Sequence, residues 1–338
     1  MQDSVASSGR FGWIARGVGA IVAIYVVVIL ALMWWWDYEP PHFDVVKTTE
    51  TRVTAKQQKV VTGAVTVSTL MTSVETLLDK RGGYLSNDKF PPGVLMDNVP
   101  NWEFGVLVAT RDLSDAMRNE FSRSQTQSTE DRDLKEAAPL FNSPNDRWLL
   151  PSSERQYRKA VGYVDSYLTR LADNDQTDAQ FFARADNLAD YLGTVSTRLG
   201  SLSQRLSASV GQERIDTDLS GDKNAQQSTP TTSPRIVKTP WTQIDDNFYE
   251  ARGYTWALRE QLEAIRVDFG PVLRDKNAMV SLDQVIRELH ESQNPLGSPM
   301  VLNGKPFGFF ANHSLVMANY ISRANAAIID LRELLRRG

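Results

Sequence analysis

Cysteine is absent from the sequence of 338 residues, and histidine is scarce, with only His42, His290 and His313. A chain without cysteine has no disulfide framework, no thiolate metal site and no cysteine nucleophile. The three histidines are far apart along the chain, and none belongs to an HExxH motif that would bind zinc on one helix. We therefore expect neither a metal site nor a cofactor.

Basic character and common catalytic motifs are lacking as well. The formal net charge is −4, whereas a nucleic-acid-binding domain would show a basic stripe, so we expect no nucleic-acid partner. The sequence contains no Walker loop and no GxSxG elbow. A pair of carboxylates assembled from distant helices stays open as an alternative source of catalysis.

The dominant feature of the sequence is an apolar run from Gly17 to Trp36, which contains no charged residue. Twenty helical residues rise about 30 Å, which is the thickness of bilayer hydrocarbon. The run is longer than the core of a signal peptide and ends in bulky residues instead of a small-residue cleavage site. Because indole rings suit the membrane–water interface, we expect Trp34, Trp35 and Trp36 at one boundary of the bilayer and Trp13 at the other.

The charges that flank this run predict its orientation. Arg10 and Arg16 precede it, whereas Asp37, Glu39 and Asp44 follow it. The positive-inside rule then places the short amino-terminal tail in the cytoplasm and the remainder of the chain outside it. We expect a single-pass protein of the bacterial inner membrane with its bulk in the periplasm.

Hydrophobic spacing predicts that the rest of the chain is all-α. Apolar residues recur at intervals of four and three, which is typical of one helical face, over 60–78, 102–121, 157–171 and 317–335. Helix starts are expected at Asn101, at the capping boxes Ser153 with Gln156, Thr177 with Gln180 and Ser281 with Gln284, and at Thr239-Pro240.

Two long stretches continue this alternation and define what we call the first and second seams. The first seam runs from Phe181 to Leu206, and the second runs from Trp241 to Phe269. Residues 212–238 between them have too few apolar side chains to offset chain entropy, so we predict a disordered linker. Two seams joined in this way are expected to be antiparallel neighbours, and self-association through the seams is the alternative.

These patterns predict a transmembrane helix followed by an extracytoplasmic bundle of long antiparallel helices with a disordered internal linker. The predicted parts are a cytoplasmic tail (1–16), the transmembrane helix (17–36), a connector (37–52), a first helical half (53–211), the linker (212–238) and a second helical half (239–338).

The most unusual stretch outside the apolar run is a loop with three phenylalanines at Phe307, Phe309 and Phe310. One interpretation is that these rings plug an end of the bundle. The other is that they form an exposed patch that binds a partner or the bilayer surface.

Three segments resemble a family of uncharacterised proteobacterial envelope proteins, known only as a domain of unknown function. They are WWWDYEP at the end of the apolar run, GYLSNDKFPPGVLMDNVPNWEFG at 83–105 and YLGTVSTRLGSLSQRL at 191–206. The resemblance covers nearly the whole chain and implies a single-span inner-membrane protein with an extracytoplasmic helical domain. It implies no activity and no functional residues.

Two classes of function follow from the sequence. The favoured one is a non-enzymatic scaffold or adaptor of the cell envelope that engages the lipid bilayer and an envelope protein partner, or a second copy of itself. The alternative is a cell-wall-active enzyme, or its regulator, whose carboxylates are brought together by the fold.

Overall fold

The computed structural model describes residues 6–123, 129–173, 178–214, 235–298 and 300–337. Eleven α-helices lie in these residues, and the predicted all-α fold is confirmed. The helices are α1 (Ala6–Trp36), α2 (Val45–Ala55), α3 (Ala64–Asp79), α4 (Asn98–Ala116), α5 (Arg132–Phe141), α6 (Ser153–Leu171), α7 (Ala185–Ser207), α8 (Ile244–Asp268), α9 (Gly270–Asp275), α10 (Met279–Glu291) and α11 (His313–Arg336).

Helix α1 contains the apolar run. Its stretch Ala15–Trp36 has 22 residues and a mean hydropathy of 2.6, which is long and apolar enough to cross a membrane. A membrane anchor and a signal sequence share these properties. Within this stretch Ile29 is the only buried side chain, while most of the others are exposed.

The segment that follows α1 differs from the connector predicted for residues 37–52, because it contains helix α2. Asp44 caps this helix, accepting hydrogen bonds from the amides of Val46 and Lys47. Val45, Thr49 and Val53 are its buried side chains. A single buried residue per turn, in a segment rich in β-branched residues, is too weak a pattern to predict a helix from sequence.

Helices α4 and α8 run parallel through the centre of the bundle. Asn101 bonds to Asp246 near their starts, and the rings of Phe121 and Phe269 meet beyond their ends, 5.2 Å apart. Gln261 of α8 also donates to the carbonyl oxygen of Ala109. The other long helices surround this pair, and their buried side chains join one continuous core.

The two seams are antiparallel neighbours as expected, with Tyr191 bonded to Gln261 and Arg205 to Glu250, but neither seam is the main partner of the other. Helix α7, which carries the first seam, packs antiparallel against α11, with Ser196 bonded to Asn325 and Ser203 to Ser322. Helix α8, which carries the second seam, packs chiefly against α4. Hydrophobic spacing identifies which face of a helix is buried, but it contains no information on the partner that buries it.

Two predicted helix starts lie close to the observed ones but at the wrong residues. Helix α4 begins before Asn101 and is capped by Asp97. Helix α6 is capped by Ser152, not by Ser153. The hydroxyl of Ser153 is buried and accepts a hydrogen bond from the amide of Arg147, so it joins α6 to the preceding loop. Adjacent Ser residues are equally good caps, and only the backbone conformation distinguishes them.

Helix α7 begins at Ala185, so Phe181 and Gln180 precede it instead of belonging to its first turns. Thr177, the other half of the predicted capping box, lies outside the described residues. Phe181 packs against Gly63, where a Cβ would lie only 2.2 Å from the ring. Phe181 therefore has the spacing and apolar character of a seam residue, although it lies in the non-helical segment before α7.

Helices α8 and α10 also begin at residues other than those predicted. A short 3₁₀ turn, Trp241–Gln243, follows Thr239-Pro240, and α8 starts only at Ile244. Trp241 is exposed and so is not part of the second seam. Ser281 lies inside α10, two residues after the helix begins.

Most of the predicted linker, 215–234, lies outside the described residues. Its two flanks form a short antiparallel ribbon of β1 (Gln212–Arg214) and β2 (Arg235–Val237). The amide of Thr239 donates to the carbonyl oxygen of Ala208 beside this ribbon. The end of α7 and the start of α8 are therefore held together by backbone pairing.

Candidate functional site where α1 meets the bundle

The end of α1 is held by the turn that follows α3. The guanidinium of Arg81 lies between the rings of Trp35 and Tyr38, 4.4 and 4.0 Å from their centroids, which is cation–π geometry. The next residue, Gly82, has φ +81° and lies against the indole of Trp36. A Cβ on Gly82 would be 2.7 Å from that ring, so both the backbone conformation and the close approach require glycine.

An ion pair between the half-buried Glu39 and the buried Arg252 joins the chain after α1 to the centre of α8. Nε of Arg252 is 2.6 Å from Oε1 of Glu39 and 2.7 Å from Oε2. The terminal nitrogens of Arg252 donate to the carbonyl oxygens of Ser292, Gln293 and Asn294, at 3.3, 3.0 and 2.9 Å. Arg252 is only 5% exposed, and it binds both the segment after α1 and the loop after α10.

An aromatic cluster continues this attachment along α8. Nε1 of Trp256 donates to the carbonyl oxygen of Pro40 at 3.1 Å. The ring of Trp256 stacks on His42 at 6.0 Å and meets Phe43 edge-on at 6.1 Å. On its inner side Trp256 contacts Trp102 of α4 at 5.3 Å. The segment after α1 is therefore part of the aromatic core.

The last contact of this series is between His42 and Glu260. Nδ1 of His42 lies 2.5 Å from Oε1 of Glu260, which also accepts a hydrogen bond from Nη1 of Arg259 at 2.7 Å. The residues Arg252, Trp256 and Glu260 are spaced by four on α8, so they line one face of that helix. We call these three residues and Glu39, Pro40 and His42 the clamp.

The clamp is an arrangement for positioning. Hydrogen bonds, an ion pair and stacked rings hold residues 39–43 at several consecutive points, and Arg81 and Gly82 hold the last turn of α1. A connector bound in this way gives the bundle one orientation relative to α1, whereas a free Gly/Ser-rich linker would allow many.

The structure places the predicted site residues in two groups. Trp13, Trp34 and Trp35 are exposed on α1, and Trp36 is half-buried against the bundle. Phe307, Phe309 and Phe310 are 105, 97 and 70% exposed, so the expectation that they plug the bundle is wrong. The sequence was compatible with both a buried plug and an exposed patch, because aromatic residues are common in cores and in interaction surfaces.

The buried carboxylates of the described residues are bound by neighbouring donors. Their partners are Lys80 and the Leu85 and Ser86 amides for Glu103, Arg198 and Tyr254 for Asp112, His42 and Arg259 for Glu260, the Gly63 and Thr66 amides for Asp268, and Arg323 and Gln284 for Glu288. Burial raises the pKa of Glu103, Asp112 and Asp268, and these donors oppose that rise.

Among the described residues, cavities border the bundle at two places discussed below. One of about 190 Å³ lies beside Arg252, Phe248, His313 and Tyr320, and burial there lowers the pKa of His313. The other, of about 320 Å³, is lined by several acidic side chains. Those acids are paired, since Asp131 and Asp178 bind Arg170 and Glu130 binds Arg118.

The SxxK spacing of penicillin-binding enzymes occurs at Ser86–Lys89 and at Ser220–Lys223. The second of these lies outside the described residues. At the first, Oγ of Ser86 is 2.5 Å from Oε2 of Glu103, and Lys89 is exposed. In that chemistry the lysine must lie beside the serine hydroxyl, so this spacing supports no catalytic assignment.

Sequence reasoning missed Arg81, Arg252 and Trp256, the residues that receive the end of α1. Trp256 lies outside the alternation of three and four that defines the second seam, so the seam pattern did not select it. Arg252 is separated from Glu39 by 213 positions, and no local pattern connects them. The only available signal was the density of aromatic and acidic residues in WWWDYEP.

No curated protein and no solved structure matches this chain. A family model matches residues 8–338, which is nearly the entire chain, and its description is an uncharacterized protein conserved in bacteria. This match agrees with the resemblance carried by the segments at 34–40, 83–105 and 191–206. The chain therefore belongs to the DUF2333 family of bacterial proteins.

Proposed function

We propose that this protein is a single-span scaffold of the bacterial inner membrane whose helical bundle lies in the periplasm. In this proposal α1 crosses the bilayer with its amino terminus in the cytoplasm. Arg10 and Arg16 before the span, and Asp37 and Glu39 after it, support this orientation. The exposed apolar side chains of α1 support a lipid environment, because so large an apolar surface is unfavourable in water.

The observation that carries the scaffold proposal is the clamp. Glu39, Pro40 and His42 bind three successive turns of α8, so the bundle is held in one orientation at the point where the chain leaves α1. A tether alone would need no such attachment. A protein that presents a binding surface at a defined height and angle above a membrane does need it.

The state of the buried carboxylates favours a scaffold over a cell-wall-active enzyme. A general acid or base needs a side chain that is free to reach a substrate. Glu103, Asp112 and Asp268 instead bind other parts of the bundle, where they join helices and loops to each other. The partner that we propose is another envelope protein bound non-covalently to the bundle.

Reporter fusions test the topology. An alkaline phosphatase fused after Gly338 should be active, since this enzyme matures only outside the cytoplasm. A fluorescent protein that folds in the cytoplasm should be dark at the same position. The reverse pair of results would contradict the proposed orientation.

Cross-linking in cells, followed by mass spectrometry, tests the scaffold role. Combined with Arg81→Ala, a flexible Gly/Ser insertion between Trp36 and Asp37 would loosen the attachment of the bundle to α1 while leaving the contacts of Glu39 and Pro40 in place. An insertion of the same length within 215–234 is the matched control. We expect a specific envelope protein to cross-link to the wild type and the control, and to be lost from the first variant.

Two results would count against this role. If no envelope protein cross-links to the wild-type chain, the scaffold proposal fails. If the same partner cross-links equally to both insertion variants, the orientation imposed by the clamp is not what the partner requires.

A further inference from the structure

Several inter-helix segments meet at the end of the bundle where α1 joins it. Helices α3, α5, α7 and α10 end there, and α4, α6, α8 and α11 begin there. The contacts that establish this are Asn101 with Asp246 (2.6 Å), Arg205 with Glu250 (2.5 Å), Arg252 with Gln293 O (3.0 Å), Tyr84 Oη with Asn145 O (3.0 Å) and the rings of Phe248 and His313 (6.4 Å). We call the described residues of segments 80–97, 142–152, 208–243 and 292–312 the proximal end.

The proximal end extends alongside α1. Helix α8 begins at Ile244, eight residues or about 12 Å before Arg252 binds Glu39, and on the side from which α1 arrives. Ile29 lies seven residues, about 10 Å of helix, before Trp36. It is 8% exposed, whereas its neighbours Val28 and Leu30 are 48 and 58% exposed. Protein therefore covers one side of α1 within its apolar stretch.

Exposed apolar side chains are concentrated at this end. Among the described residues after position 40, all six exposed Phe and Trp side chains lie there, and the large apolar residues exposed elsewhere are Val and Ile. The exposed proximal side chains are Phe90, Val94, Leu95, Trp148, Leu149, Leu150, Trp241, Met300, Phe307, Phe309 and Phe310. A patch of this composition is unfavourable in water and marks an interaction surface.

The rings at the proximal end have cations close by in sequence. Lys89 precedes Phe90, Arg147 precedes Trp148, and Lys305 lies two residues before Phe307. All three cations are exposed. An aromatic ring with a neighbouring cation suits the membrane interface, where the ring enters the acyl boundary and the cation meets lipid phosphate.

Carboxylates are also present at this end, among them Asp88, Asp97 and Asp146. Burial raises the pKa of Asp88, with the charge of Glu154 adding to the effect. The patch is therefore not strongly basic, and apolar insertion must supply more of the binding than charge does.

We propose that the proximal end lies on the bilayer, with the exposed side chains of its loops inserted into the lipid interface. The inference rests on the proposed membrane span of α1. The occupant is lipid because the patch is continuous with α1, whose apolar surface it flanks. Its rings stand on several separate loops, and the lipid interface is one apolar phase that can receive all of them. The bundle is thus attached to the membrane both by α1 and by its own surface.

The absence of cysteine allows this to be tested in the full-length protein. Single Cys variants at Phe90, Trp148 and Phe309 would carry a nitroxide label in vesicles of mixed phosphatidylcholine and phosphatidylglycerol. Collisions of the label with oxygen, which concentrates in lipid, are compared with collisions with a water-soluble nickel chelate. Val280, which is 78% exposed at the start of α10 and so at the opposite end, is the matched control. Val27, within α1, reports on the span itself.

We expect the ratio of oxygen to nickel collisions to be several-fold higher at positions 90, 148 and 309 than at 280. Equal ratios at all four positions would overturn the proposal. So would loop labels that neither reagent reaches and whose spectra are broadened by a label on a second copy of the chain, because the surface would then be a contact between proteins. The label at 27 separates the two inferences. If the label at 27 lies in lipid while the loop labels lie in water, the proposal for the proximal end is wrong and the proposed membrane span is still supported. If the label at 27 lies in water, the proposed membrane span is wrong.

Discussion

Gly253 of α8 lies directly against the carbonyl oxygen of Trp102 in α4, where a Cβ on Gly253 would be only 1.9 Å from that oxygen. The contact is reciprocated one turn along, since a Cβ on Gly105 would lie 2.1 Å from the carbonyl oxygen of Glu250. These two glycines allow the backbones of α4 and α8 to touch. The central helix pair depends on them, and so does the position of Arg252 beside Gly253.

Replacing Gly253 with alanine should therefore destabilise the bundle. The added methyl group meets backbone on a neighbouring helix, which cannot move aside as a flexible side chain can. We expect a loss of about 1–3 kcal/mol in the free energy of unfolding, which is the usual cost of overpacking a core. Denaturant unfolding of the full-length protein, followed by circular dichroism, measures it.

Gly162 provides the control, because it lies within α6 and a Cβ there would meet nothing within 4 Å. Gly162→Ala should stabilise the protein by up to about 1 kcal/mol, since alanine is the better helix former. If both variants changed stability in the same direction, the close helix contact would not be the cause.

The ion pair between Arg252 and Glu39 gives the second prediction. Arg252→Met leaves Glu39 and three carbonyl oxygens without their donor, and because the Glu39 side chain is 31% exposed and can be hydrated, we expect a loss of about 1–3 kcal/mol in the free energy of unfolding. Glu39→Gln should also destabilise the protein, because it leaves the charge of the buried Arg252 without its carboxylate partner. A double-mutant cycle between the two should show a coupling energy, as contacting residues do.

Arg266→Met on the same helix is the matched control for this pair. Arg266 binds Asp283 at the surface, with both side chains well exposed, so its loss should cost no more than about 1 kcal/mol. Equal effects at 252 and 266 would show that the burial of the clamp contributes nothing to stability.

The pairing of α7 with α11 is testable by cross-linking. Oγ of Ser203 lies 2.6 Å from Oγ of Ser322, which brings the two Cβ atoms within reach of a disulfide. The double variant Ser203→Cys and Ser322→Cys should form an intramolecular disulfide under mild oxidation, seen by mass spectrometry. Ser201→Cys with Ser322→Cys should not, because Ser201 is exposed on another face of α7. Efficient linkage of the control pair would contradict the observed packing.

The raised pKa of Asp112 predicts a pH dependence of stability. Burial raises this pKa, so the folded protein holds a proton on Asp112 more readily than the unfolded chain does. The contribution to stability is complete below the unfolded pKa of 3.8 and is lost as pH rises through the folded pKa. Asp112→Asn should make the free energy of unfolding less dependent on pH across this range, as measured by denaturation at several pH values.

Asp186 should behave in the opposite way. Its partial burial raises the pKa, but the hydrogen bonds and charge of Arg184, together with hydrogen bonds from the backbone, outweigh that effect and lower the pKa. Its contribution is then present above the unfolded pKa and is lost as pH falls through the folded pKa. Asp186→Asn should therefore change the slope of unfolding free energy against pH in the opposite direction to Asp112→Asn. If both substitutions changed this slope in the same direction, the two assignments would be contradicted.

The sequence by itself determined the features that depend on local composition and period. The uninterrupted apolar run predicted the helix that contains Ala15–Trp36, because hydrophobic length is a property of one segment. Alternating intervals of three and four predicted the helices and most of their buried faces, as at Leu192 and Leu258. The three exposed rings at 307–310 were also identified as an unusual loop.

Only the tertiary structure decided which elements meet. The first seam packs on α11, where Ser196 also bonds to Asn325, and the glycines at 105 and 253 allow α8 to approach α4 closely. The clamp joins Glu39 to Arg252 across 213 positions, and the proximal end gathers rings from distant loops. Such relationships arise from shape and charge complementarity between surfaces that form only on folding, so the periodicity of one segment contains no trace of them.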